Sequence, residues 1–82
     1  NASLVHPREI FQPAIHLGAT SLVIAHNHPT GNPKPSAQDR EVTKRIAAAG
    51  KILGIQLPDH VVIGSAGSFW AFSEMEPEAL DA

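Results

Sequence analysis

The chain is 82 residues long, 43% hydrophobic, and carries a formal net charge of −2. That length holds one domain at most, and that hydrophobic share excludes a disordered tail. The small negative charge gives no basic footprint for nucleic acid. The absence of cysteine excludes a disulfide framework and a thiolate metal site.

Asn1 to Val5 reads as the end of a strand. Pro7 suits the first position of a helix, where a missing N–H costs nothing. Ile10, Ala14 and Leu17 follow at i, i+4 and i+7, with Phe11 and Ile15 beside them, which makes one apolar stripe. Pro13 should bend that helix and Gly18 should end it. Thr20 to His26 reads as a strand, apolar without alternation, and so is expected to be central and covered on both faces. Asn27 to Pro35 is a proline-rich loop. Ser36 to about Leu53 is the longest predicted helix, with Val42, Ile46, Ala49 and Leu53 at helical spacing. Gly50 is expected to weaken its last turns and Gly54 to cap it. Leu57-Pro58 should break the chain's regular structure. His60 to Gly64 and Phe69 to Ser73 then form a hairpin about Ala66-Gly67-Ser68. Residues 74–82 are acidic and read as a frayed tail.

The order helix, strand, helix, strand, strand is that of an α/β chain with helices against a small mixed sheet. Four of the six cations, Arg40, Lys44, Arg45 and Lys51, fall in one predicted helix, which reads as a solvated face. No apolar run approaches the roughly 18 residues that a membrane-spanning helix needs. No segment has a signal-peptide pattern. A cytoplasmic chain is expected, in line with the lack of cysteine.

The chemistry concentrates in His26-Asn27-His28-Pro29, followed by Ser36 and Asp39. On a strand, His26 and His28 share a face because side chains alternate. Asp39 falls in the first turn of the next helix. Two imidazoles and a carboxylate are the protein ligands of an open zinc site, with a fourth position left for water. The structural alternative is a capping box, in which Ser36 caps the helix and Asp39 sits three residues on. His6 is read as lying at a helix entrance and His16 as facing solvent. A structural hydrogen bond is expected for His60, beside Asp59. Phe69 and Trp70 are read as core or edge anchors. The aromatics do not alternate with basic residues as a single-strand binder requires.

His26-x-His28-Pro29, six residues, then Ser36-x-x-Asp39 resembles the JAMM motif of the JAB1/MPN+ metallopeptidases. His6-Pro7-Arg8-Glu9-Ile10-Phe11 before it, with Leu53-Gly54-Ile55 and Asp59 to Gly64 after it, resembles the RadC-type JAB domain, over about Asn1 to Phe72. Thr30-Gly31 stands where Ser-Gly is more usual in that family. The resemblance implies a partial JAB/MPN-like, cytidine-deaminase-like three-layer fold over residues 1–82. It implies Zn2+ as cofactor, His26, His28 and Asp39 as its ligands, and a peptide or isopeptide substrate. It also implies a catalytic role for Ser36 as donor to an oxyanion, which stands beside the capping role. The family's water-activating glutamate lies on an earlier strand. Glu9 is only 17 residues before His26 and is read as a helix-start residue, so that glutamate is expected upstream of this chain. The chain is accordingly expected to be a fragment of low activity. Its missing strands should leave a sheet edge through which it self-associates. Two other classes are carried beside the hydrolase. One is a DNA-repair-associated module, as the family's name implies, although no residue pattern here supports DNA contact. The other is a metal-bearing interaction domain without catalysis.

Overall fold

The structure, a computed structural model, describes residues 6–81. The strand end expected at Asn1 to Val5 lies outside the described residues. Helix α1 is Pro7–His16, strand β1 is Ser21–Asn27, helix α2 is Ala37–Leu53, and strands β2 and β3 are Gln56–Ile63 and Phe69–Ala71. A short helix α3, Phe72–Met75, and a 3-10 helix, Pro77–Asp81, complete the chain. The sheet order is β1-β2-β3, with β1 and β2 parallel and β2 and β3 antiparallel. This is the expected α/β class.

The helices start and stop where local codes say they should. Pro7 opens α1, and Gly18 follows it in the left-handed region at φ 71°. Ser36 caps α2, and Gly54 closes it at φ 75°. The buried face of α2, however, is Asp39, Thr43, Ile46, Ala47 and Gly50. It is turned toward polar positions that an apolar stripe does not mark, and Leu53 is left 47% exposed. The helix runs on past the buried Gly50 to Leu53. The chain doubles back so closely that a Cβ there would lie 2.2 Å from the Ile55 carbonyl oxygen, while Ile55 N–H donates to Gly50 O at 2.8 Å.

Leu57-Pro58 does not interrupt the sheet. β2 begins at Gln56, and Ser21 pairs with Gln56 while Val23 pairs with Asp59. Two steps along β1 thus match three along β2, a bulge that absorbs Pro58, whose missing N–H is tolerated there. Beyond the bulge, Ile24 pairs with His60 and His26 with Val62. Leu22, Ile24 and Leu57 face α1 and α2, packing with Phe11, Ala14, Ile46, Ala47 and Ile55. β1 is therefore not a central strand covered on both faces. Among the described residues it is an edge strand, and Val23 on its outer face is 61% exposed.

The expected frayed tail is ordered through residue 81. Phe72 and Ala79 are buried with Val62, and Leu80 packs against both this cluster and the main one. Arg40 Nε donates to both carboxylate oxygens of Glu76 at 2.8 and 2.6 Å, tying α2 to this segment. The strand expected through Ser73 ends at Ala71, where Asp59 accepts from Ser73 N–H and Oγ–H at 2.9 and 2.8 Å and turns the chain into α3. No helix among the described residues is long and apolar enough to cross a membrane.

Candidate metal centre

His26 is the penultimate residue of β1, and His28 follows the strand. The backbone of His28 stays registered to the sheet, its N–H donating to Ile63 O at 3.0 Å. The alternation therefore persists, and the two rings lie on one side with centroids 5.1 Å apart. The loop after them is folded onto the β2–β3 turn. Ser65 N–H donates to Gly31 O at 2.9 Å, and a Cβ on Gly64 would lie 2.4 Å from that same oxygen. Only glycine lets the two segments meet this closely. The buried Pro35 then leads into α2 and presents Asp39 to both histidines.

One ligand atom from each of His26, His28 and Asp39 lies within 4.8 Å of the others. His28 Nε2 is 2.8 Å from Asp39 Oδ2, and His26 Nε2 is 3.4 Å from Asp39 Oδ1. Ligands placed tetrahedrally about a metal ion at about 2.0–2.1 Å stand roughly 3.3 Å apart, and the two contacts to Asp39 are of that order. The proton inventory agrees. His28 Nδ1 lies 2.8 Å from Asn32 O, which can only accept, so Nδ1 carries a proton. Nε2 of a neutral His28 is then a bare lone pair facing a carboxylate, a pairing that requires a cation between or on them.

The helix cap and the candidate ligand turn out to be one device. Ser36 N–H donates to Asp39 Oδ2 at 2.8 Å, and Asp39 N–H donates to Ser36 Oγ at 3.1 Å. The cap locks the carboxylate so that its oxygens face the histidines. Ser36 itself is exposed, and accepting from Asp39 does not use its hydroxyl proton. Glu9 is exposed in the first turn of α1 and takes no part in the group.

Two further residues complete the centre: His60, for which a structural hydrogen bond was expected, and Thr43, which the sequence did not single out. His60, 2% exposed on the middle strand, lies with Nε2 2.8 Å from His26 Nδ1 and Nδ1 2.6 Å from Thr43 Oγ1. The Asp59 side chain is turned elsewhere, toward Ser73 and the His60 backbone N–H. Thr43 is fully buried one turn after Asp39, a spacing that could have flagged it. The register that aims His60 inward was hidden by the bulge.

Charge follows from these contacts. Burial, and next the neighbouring His26, pull the His60 pKa down to about 4. Burial also lowers His26, joined by His28 and opposed by Asp39. For Asp39 burial pushes upward, but the Ser36 N–H, His28, the Ser36 side chain and His26 together hold it below its ordinary value. These shifts favour a neutral His26 and an ionised Asp39, the forms that bind a metal. His26 is the more open side, its side chain 34% exposed against 18% for His28.

A family profile described as the RadC-like JAB domain matches residues 1–77. The chain is 59% identical over 64 residues to a UPF0758 protein of Rubrobacter xylanophilus, covering 78% of this chain and 28% of that one. It is 53% identical over 66 residues to a UPF0758 protein of Symbiobacterium thermophilum, covering 80% and 28%. With a UPF0758 protein of Geobacter sulfurreducens the identity is 50% over 72 residues, covering 88% and 31%. The chain spans about three-tenths of the length of these relatives.

Proposed function

This chain belongs to the RadC-like JAB domain family, and on that footing we propose that it carries the metal-binding part of a zinc-dependent hydrolase acting on an amide-type bond, a peptidase or isopeptidase. The observation that supports this most is the convergence of His26, His28 and Asp39 within 4.8 Å, with the second nitrogen of each histidine already bonded to the protein. A zinc ion held there lowers the pKa of a bound water and polarises a carbonyl, the two requirements of amide hydrolysis.

The residues of the chain supply the rest. Asp39 offsets part of the ion's charge and is kept in place by its own helix cap. Ser36, exposed beside it, has a hydroxyl proton to offer the substrate oxygen that gains negative charge. The carboxylate that takes the proton from water is assigned to the upstream part of the whole protein.

The test is zinc content per chain by mass spectrometry, before and after His28→Ala. About one zinc per chain, lost in the variant, supports the assignment. Undiminished zinc in the variant refutes it.

A further inference from the structure

Building on the metal-site reading above, we propose that Thr43 and His60 are positioning residues that fix which nitrogen of His26 carries its proton. They form a relay three side chains long, running from helix α2 through the middle strand to the metal group.

The relay follows from counting protons. Thr43 has one hydroxyl proton, and its oxygen lies 2.7 Å from the Asp39 carbonyl, which can only accept. The hydroxyl donates there. At 2.6 Å from His60 Nδ1 the same oxygen must then accept, so His60 is protonated on Nδ1. His60 Nε2 is left as a lone pair and accepts from His26 Nδ1 at 2.8 Å. His26 is thereby protonated on Nδ1, and its Nε2, 3.4 Å from Asp39 Oδ1, is free to ligate.

The relay has only two self-consistent directions, because one proton lies between His26 and His60. Reversed, with Thr43 donating to His60, every proton moves across its ring. His26 Nε2 then carries hydrogen and cannot bind a metal. The back-bond from Thr43 to the helix carbonyl chooses between the two. Packing holds the relay rigid. Thr43 is fully buried, and the His60 ring stacks on Phe72 at 5.0 Å with 14° between planes. Buried groups that orient a ligand's second nitrogen commonly contribute 10–100-fold to metal affinity.

The experiment is long-range 15N–1H NMR on the histidine-labelled, metal-free chain at pH 8, paired with zinc titration. In the wild type, His26 and His60 should both be Nδ1–H tautomers. Thr43→Val keeps the shape but removes the acceptor. Both rings should turn to Nε2–H, and zinc affinity should fall 10–100-fold. Thr43→Ser keeps the hydroxyl and should restore both readouts. Nε2–H on His26 in the wild type overturns the inference without any variant. A Thr43→Val chain with unchanged tautomers and affinity overturns it as well. A wild type that shows the Nδ1–H pair but takes up no zinc refutes the metal assignment and leaves the relay standing, so the two failures are separable.

Discussion

Ser36 and Asp39 hold each other by two reciprocal bonds, N–H to Oδ2 at 2.8 Å and N–H to Oγ at 3.1 Å. The start of α2 and the carboxylate arm of the candidate metal group are one structure, so cap and proposed ligand can be separated only by chemistry that preserves shape. Asp39→Asn does that. Its amide oxygen can still accept from Ser36 N–H, so the metal-free melting temperature should shift by only a few degrees. Zinc affinity should fall at least 100-fold, because a neutral amide replaces an anionic ligand. Asp39→Ala should lose both, with about 1 kcal/mol of cap stability gone. Melting curves and zinc titrations of the two variants, side by side, check this.

Ser36→Ala removes the acceptor at the cap and should cost about 1 kcal/mol of stability with zinc still bound. In the whole protein, if the hydroxyl also serves the reacting oxygen, the turnover number should drop by roughly 100- to 1000-fold. Ser36→Thr, which retains the hydroxyl, should recover stability. Loss of stability with undiminished turnover would leave Ser36 a cap alone.

Acid should destabilise the metal-free fold through His60. Its pKa is pulled from 6.5 to about 4 on folding. The unfolded chain therefore takes up a proton in that interval that the folded chain refuses, and stability falls as pH drops. The contribution is intact above about 6.5, declines from there to about 4, and amounts to on the order of 3 kcal/mol. Denaturant melts between pH 8 and 4, in chelator, should show this slope. His60→Phe should flatten it.

Gly50→Ala tests the close return of the chain. In an open helix this change stabilises by up to about 1 kcal/mol. Here the new methyl meets the Ile55 carbonyl oxygen at 2.2 Å. The sign should reverse, with a loss of about 2 kcal/mol as the junction of α2 and β2 is forced apart. Thermal melting followed by circular dichroism reads it directly.

What was legible in the sequence was local. Pro7, Ser36, Gly18 and Gly54 each mark a helix end by their own local chemistry, and each end is found there. The spacing of His26, His28 and Asp39 needed only a strand, a loop and a helix start to become a cluster. What failed depended on neighbours distant in sequence. Ala79 looks like tail until Val62 and Phe72 cover it. Val23 looks like core until the sheet order leaves it at an edge. Thr43 and His60 are 17 positions apart and meet only because α2 lies against β2.

The bulge at the entry to β2 also sets a rule of length. Beyond it the strand presents His60 inward and Asp59 outward. Inserting one residue between Leu57 and Asp59, with the backbone pairing to β1 held, would shift the side chains of the strand by one position. Asp59 would then enter the interior beside His26 in place of a neutral imidazole, and His60 would be cast out. No residue of the metal group would be altered, yet its inner neighbour would change from a proton acceptor that can also donate to a fixed negative charge. The two-residue interval between Leu57 and His60 is thus as much a specification of this centre as the identity of its ligands. Any redesign of this region must conserve the count before the composition.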